Sequence, residues 1–143
     1  QPCREAVETI MGCEDYLEQY FAINIVFEPL VGELIRSGFF MQAAAANNDF
    51  ITPPVISAAE ADYERNLANT VDLIYLLAND EQHADHNRKL FRAWLGKHGA
   101  LAEKADALQP IWSQPHSKPV SYQDVKEVSR ERLAQILGEL GLN

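Results

Sequence analysis

An all-α helix bundle is the fold class that this sequence predicts, on three observations. Apolar residues recur at helical intervals through most of the chain, no stretch carries a strand signal, and the connections are short. A length of 143 residues suits one domain. With 47 % apolar and 23 % charged residues the composition is that of an ordinary globular chain, neither disordered nor fibrous. The 9 % of aromatic residues give the core enough bulk to close.

From Arg4 to Phe27, the residues Val7, Ile10, Leu17, Phe21 and Val26 mark one helix. Pro29 should kink or restart it, because proline lacks the amide donor and its ring clashes with the preceding turn. Leu30, Val31, Leu34 and Ile35 carry the apolar face on to about Ser37, and Phe39 to Ala46 can continue it. Asn47-Asn48-Asp49 reads as a break and Thr52-Pro53-Pro54 as an extended connector. Ser57-Ala-Ala-Glu60 has the pattern of a capping box. It opens the longest helix, Ala58 to about Lys97, which at 1.5 Å per residue would run ~60 Å. His98-Gly99 ends that helix, Leu101 to Leu108 suits a short one, and Pro110 to Pro119 an irregular strap. Ser121 caps a last amphipathic helix from Tyr122 to Leu140, closed by Gly141, with Val125, Val128, Leu133, Ile136, Leu137 and Leu140 on its apolar face. Residues 1–97 thus supply the bundle and 98–143 an extension with the last helix, in a single helical domain.

Net charge is −9, from 21 acidic against 12 basic residues, which argues against a nucleic-acid binder with its basic face. The first 80 residues hold 13 acids and 3 bases, the remainder 8 acids and 9 bases. Such asymmetry suits either a solvated acidic face or a surface that meets a specific partner. No apolar run is long enough to cross a membrane, and none has the form of a signal peptide. Cys3 and Cys13 lie ten positions apart, ~15 Å on one helix and too far for a disulfide. They read as reduced thiols of an intracellular protein. The first residue is Gln1, not Met, so a piece of a longer chain is expected.

The stretch from Leu73 to Trp94 is the most informative. Leu73, Leu76, Asp80, His83, Asn87, Leu90 and Trp94 would share one helical stripe, apolar at both ends and polar at its centre. Asp80-x-x-His83 places a carboxylate and an imidazole three residues apart, the arrangement by which Glu-x-x-His pairs in di-iron bundles reach one metal. Only one such pair exists, since His86, His98 and His116 have no carboxylate three residues before them. The alternative is a buried Asp80–His83–Asn87 hydrogen-bonded cluster that fixes helix register. On that reading His83→Ala would cost about 1–3 kcal/mol. His83 with His86 is a weak zinc pair, as Asp85 and His86 project toward the charged side. Glu28, just before Pro29, is a candidate to join Asp80 or His83, or else to pair with Arg36 or Arg65. Cys13 is followed by Glu14 and Asp15, which disfavours a thiolate. No nucleophile elbow, phosphate loop or Cys-x-x-Cys is present. No catalytic residue and no metal site is assigned.

Phe21-Ala-Ile-Asn-Ile-Val-Phe-Glu-Pro-Leu-Val-Gly-Glu-Leu-Ile-Arg-Ser37 resembles a segment of the small (beta) hydroxylase subunit of bacterial multicomponent di-iron monooxygenases. Asn79-Asp-Glu-Gln-His83, with Asn87-Arg-Lys-Leu90 and Trp94-Leu95, resembles a second segment of the same subunits. The likeness reaches from about Cys3 to Leu95 and is greatest to the propane, alkene and tetrahydrofuran-oxidising branch. It implies a partial ferritin-like, ribonucleotide reductase-like bundle, the C-terminal part of a longer cytoplasmic subunit. It implies a non-catalytic scaffold, with no cofactor of its own, packed on a large (alpha) subunit that holds the di-iron centre. A reductase and an effector protein would act on that complex, and its reaction would be O₂- and NADH-dependent hydroxylation or epoxidation of a small hydrocarbon such as propane. Asp80-x-x-His83 would then be a degenerate counterpart of the large subunit's metal-binding pair.

Aromatic residues tend to anchor interfaces, so Phe21, Phe27, Leu30, Phe39 and Phe40 are the candidates for the partner surface, with ordinary core as the other reading of each. Two further functions remain open: an autonomous ferritin-like metal-dependent oxidase using Asp80, His83 and Glu28, and a helical adaptor without redox role.

Overall fold

The computed structural model describes residues 2–112 and 121–143. Five long helices and no strand occur among the described residues. Helix α1 is Pro2–Met11. Helix α2 is a rod covering 16–46 in which ordinary turns alternate with widened, π-type ones: Tyr16–Phe21, the wide segment Ala22–Gly32, Glu33–Ile35, the wide segment Arg36–Phe40, and Met41–Ala46. Helix α3 is Thr52–Ala78 and α4 is Ala84–Ala102, followed by a 3₁₀ segment Glu103–Leu108 and the single turn Gln109–Trp112. Helix α5 is Tyr122–Leu140.

The wide segment Ala22–Gly32 lies at the centre, with α3, α4 and α5 all packed on it. Its Phe21 neighbour stacks on Phe91 of α4, centroids 5.7 Å apart and rings nearly parallel, and Trp94 tilts against both. Ile25, Val26 and Val31 extend this core to Tyr63, Leu67 and Ile74 of α3 and to Ile136 and Leu140 of α5. A smaller cluster of Leu34, Trp112 and Tyr122, with Phe39 against Trp112, seals the far end.

Several expected boundaries move, each for a local reason. The first helix breaks after Met11 because Asp15 caps a new one, its carboxylate accepting the amides of Leu17 and Glu18 at 2.8 and 3.3 Å. Pro29 does not restart the helix. Hydrogen bonds of the i→i+5 kind, as from the Glu33 amide to the Glu28 carbonyl, carry the helix past it. Thr52-Pro53-Pro54 is the first turn of α3 rather than a connector: prolines lack the very amides that go unpaired there, and Asp49 accepts from the amides of Ile51 and Thr52 and from the Thr52 hydroxyl. The Ser57 capping box therefore falls inside a helix. The break at Asn47-Asn48-Asp49 is present, with Asn48 in the left-handed region at φ 57°.

The long helix from Ala58 to Lys97 is two helices. After Ala78 the Asn79 side-chain amide donates to the Tyr75 carbonyl, and the Asp80 carboxylate takes the amides of Gln82 and His83 at 3.0 and 2.8 Å. Side chains that compete for backbone groups in this way end helices. Helix α4 then runs through His98-Gly99 to Ala102, because His98 is a core residue, 2 % exposed. Pro110 to Trp112, the start of the expected strap, belong to a helical turn; the rest of the strap, with His116, lies outside the described residues.

Helix α5 matches its expected bounds: Ser121 caps it and Gly141, at φ +64°, ends it in a left-handed turn that tucks Leu142 into the core. Val128 departs from the apolar face and is 56 % exposed. Beyond the core, one close packing contact and a set of polar pairs hold α5. Gly38 of α2 admits Val125, whose Cγ1 would overlap any Cβ at that position. Lys126 pairs with Asp106 and Glu103, Arg130 with Glu103, and the Tyr122 hydroxyl donates to Asp106.

Two outcomes follow from this docking. In Gly38→Ala the gain in helix propensity is smaller than the overlap with a β-branched side chain of restricted rotation, so a net loss of about 1–2 kcal/mol is expected. Val125→Ala in the same chain should restore part of it, as read by urea unfolding. The second concerns acid. Hydrogen bonds from Lys126 and then Tyr122 hold the Asp106 carboxyl low, and Arg130 does the same for Glu103 against the effect of burial. Carboxyls lowered by folding contribute stability above their unfolded values and lose it as pH falls through the folded ones. Thermal midpoints should therefore fall below about pH 4.5, and Asp106→Asn with Glu103→Gln should flatten that slope.

Candidate functional site

The four residues expected to form a polar cluster are not brought together. Asp80 and His83 stand on the turn between α3 and α4, 45 % and 65 % exposed, with His83 Nδ1 3.0 Å from Asp80 Oδ1. The Gln82 amide, followed by the His83 ring, holds the Asp80 carboxyl low. Its role there is that of a turn cap. Asn87 donates to the Leu77 carbonyl at 2.8 Å, tying the start of α4 to the end of α3. The common stripe fails because the chain turns between Ala78 and Ala84. Glu28 faces the other end of α3, beside Asp62 and Tyr63. Sixteen residues of α3, ~24 Å, separate Asp62 from Ala78, beyond which Asp80 lies on the turn.

Glu28 instead meets Arg36, one of the two arginines expected for it. The Arg36 guanidinium pairs with the Glu28 carboxylate, reaches Glu60 Oε2 of α3 at 3.3 Å, and lies 5.4 Å over the Tyr63 ring. Gly32 lies midway between Glu28 and Arg36 in sequence, and a Cβ there would strike both side chains. The missing side chain is what lets an ion pair lie along the rod. Deeper in, Asn24 is 5 % exposed and donates to the Thr70 hydroxyl at 3.0 Å, which itself donates to the Asn66 carbonyl. Burial pushes the Glu33 carboxyl up, with Arg132 opposing, and burial raises the Tyr63 phenol strongly.

A cluster that the sequence did not reveal joins the α1–α2 turn to α4. His98 Nε2 lies 2.8 Å from Glu18 Oε1, and Lys97 Nζ is 2.7 Å from the same oxygen. Cys13 Sγ lies within 4.8 Å of a carboxylate oxygen of Glu18 and a ring nitrogen of His98. Burial would raise the Glu18 carboxyl, but hydrogen bonds from Lys97 and His98 outweigh it and hold the group low. Burial, and then the Glu18 charge, pushes the Cys13 thiol up. Eighty residues separate Glu18 from His98, so no local pattern signals the contact.

Of the interface candidates, Phe21 is wholly buried and belongs to the core. Phe27 and Leu30 are half-buried and packed on the same core, and Phe39 packs on Trp112. Phe40 is 45 % exposed. Where α2 gives way to α3, Phe50, Ile51 and Val55 are more exposed still. The signal for these was two large apolar residues directly before a Pro-Pro helix start, hidden by reading that stretch as a connector. No helix among the described residues is long and apolar enough to cross a membrane.

The two polar groupings should answer differently to mutation. Arg36→Met leaves Glu28 and Glu60 without their cation and should cost roughly 1–3 kcal/mol, between the values for exposed and buried pairs. Glu28→Gln added to it should recover part. His83→Ala, by contrast, removes an exposed contact and should leave the urea midpoint nearly unchanged.

Residues 1–81 match the family described as Methane/Phenol/Alkene Hydroxylase. Across its whole length the chain is 42 % identical to the propane 2-monooxygenase hydroxylase component small subunit of Gordonia sp. (strain TY-5), and 42 % to that of Rhodococcus jostii (strain RHA1). It covers 39 % of each, so it spans about two fifths of the length of these curated relatives. The methane monooxygenase component A beta chain of Methylococcus capsulatus (strain ATCC 33009 / NCIMB 11132 / Bath) is 32 % identical over 84 residues, 58 % of this chain and 22 % of that one. The likeness thus runs past Leu95 to the end of the chain, α5 included. On its all-helical fold and on the match over more than half its length, the chain belongs to the methane/phenol/alkene hydroxylase family.

Proposed function

We propose that the chain is part of the small subunit of the hydroxylase component of a multicomponent monooxygenase, and that it acts by packing rather than by chemistry. The observation that carries this is the 42 % identity, over every part of the chain, to subunits of that name. The donor set agrees. A carboxylate-bridged di-iron centre does not fit residues in which Asp80 and His83 cap a surface turn and Glu28 is held by Arg36. The iron is therefore assigned to a large subunit, whose complex would take electrons from a reductase, respond to an effector protein, and hydroxylate a small hydrocarbon such as propane with O₂ and NADH in the cytoplasm. The exposed apolar residues Phe40, Phe50, Ile51 and Val55 are the surface offered to that partner. Obligate interfaces of this kind bury ~2,000–5,000 Å² and resemble a core cut in half.

The test is iron stoichiometry on the complete subunit, alone and co-purified with its large subunit. After anaerobic Fe(II) reconstitution the isolated subunit should acquire no iron pair, and iron in the complex should follow the amount of large subunit. Two irons per isolated small subunit would overturn the scaffold reading in favour of an autonomous oxidase. Failure to co-purify with the large subunit would overturn it in favour of an adaptor.

A further inference from the structure

The geometry points to a divalent-metal site of zinc-type ligand chemistry at Cys13, Glu18 and His98, independent of the function proposed above. The thiol, one carboxylate oxygen and one imidazole nitrogen all lie within 4.8 Å of one another. Ligands placed ~2.0–2.3 Å from a tetrahedral zinc ion are ~3.3–3.8 Å apart, so an ion needs the Cys13 thiol to draw in by at most about 1 Å and the His98–Glu18 contact, now 2.8 Å, to open by about 0.5 Å. The donors come from three places: the turn after α1, the first turn of α2, and the interior of α4. His98 is fixed, its side chain 1 % exposed, and Glu18 is 14 % exposed. Cys13 follows α1 in the turn, its thiol bonded weakly to the Thr9 carbonyl at 3.4 Å, so it is the ligand best placed to adjust.

The ligand set is selective. A thiolate with an imidazole and one carboxylate favours zinc and its neighbours over magnesium or calcium, which take oxygen ligands. Three protein donors leave the fourth position to water. The present counter-charge to Glu18 is the Lys97 ammonium, on the same carboxylate oxygen and half exposed. A dication would take its place, and Lys97 would turn out to solvent. Binding releases the Cys13 thiol proton to solvent and moves the imidazole proton from Nε2 to Nδ1. Among the described residues Nδ1 has no hydrogen-bond partner. The site thus lacks the outer contact that usually holds a ligating histidine, which sets its affinity below that of structural zinc sites. Its effect would be to fasten the α1–α2 turn to α4.

The experiment is titration of the complete small subunit, free of large subunit, with Co²⁺ alone, following the thiolate-to-cobalt charge-transfer absorption. One Co²⁺ per chain should bind with that band, and Cys3→Ala should keep it. Cys13→Ala should abolish the band and weaken binding by about tenfold or more, while its thermal midpoint without metal confirms the fold. Lys97→Met should strengthen binding severalfold, because the competing ammonium is gone. A purely structural hydrogen-bonded cluster would not respond in that way. No thiolate band, a band that survives Cys13→Ala, or Lys97→Met binding no better than the parent would overturn the assignment.

Discussion

The structure depends on a proline held inside a helix. Pro29 is buried in the segment onto which α3, α4 and α5 all pack, where an ordinary α-helical turn would place its ring against the preceding carbonyl. The widened turns from Ala22 to Gly32 remove that conflict and keep the rod continuous. Continuity matters because the rod must meet α4 through Phe21, while Asn24 and Glu28 meet α3. A kink at Pro29 would displace one set relative to the other. The glycines serve the same element: Gly32 leaves room for Glu28 to reach Arg36, and Gly38 for Val125 of α5.

The fold class was legible because helical periodicity is written in every long segment, and the bounds of α5 were legible to the residue because its cap, its apolar face apart from Val128 and its final glycine agree. The ends of α3 were not. Thr52-Pro53-Pro54 is compatible both with extended chain and with a first helical turn, and the deciding partner, Asp49, lies three residues upstream of Thr52. Asp80 misled in a related way. A carboxylate and a histidine three residues apart can line a helix face, but the same aspartate can take the two amides that follow it and end the helix, and here it does so. Spacing alone does not separate these outcomes, because both satisfy the same groups.

The candidate site was the least legible part, for a physical reason. The contacts of Glu18 with His98 and of Arg36 with Glu60 join residues 80 and 24 positions apart, and neither lies in a recognisable motif. Only the Glu28–Arg36 pair, within one rod, was within reach of sequence reasoning. The resemblance to hydroxylase small subunits implied what periodicity could not, namely that Asp80-x-x-His83 is a degenerate counterpart of a metal-binding pair. The structure places the two residues on an exposed turn.

The uneven distribution of charge finds much of its answer inside the chain. Of the acids in the first 80 residues, Glu5 meets Lys104, Glu18 meets Lys97, and Glu64 meets Arg132, all bases of the second half. The acidic half is thus in part the complement of α4, α5 and the segment between them, rather than a surface reserved for a partner. Half-exposed pairs of this kind contribute roughly 0–1 kcal/mol each, so their effect lies less in stability than in register. Wrong pairings of the helices would set carboxylate against carboxylate along α1, α2 and α3, and the bases carried by the second half select the arrangement that avoids it. That leaves apolar exposure, at Phe40, Phe50, Ile51 and Val55, as the stronger physical argument for the docking surface proposed above.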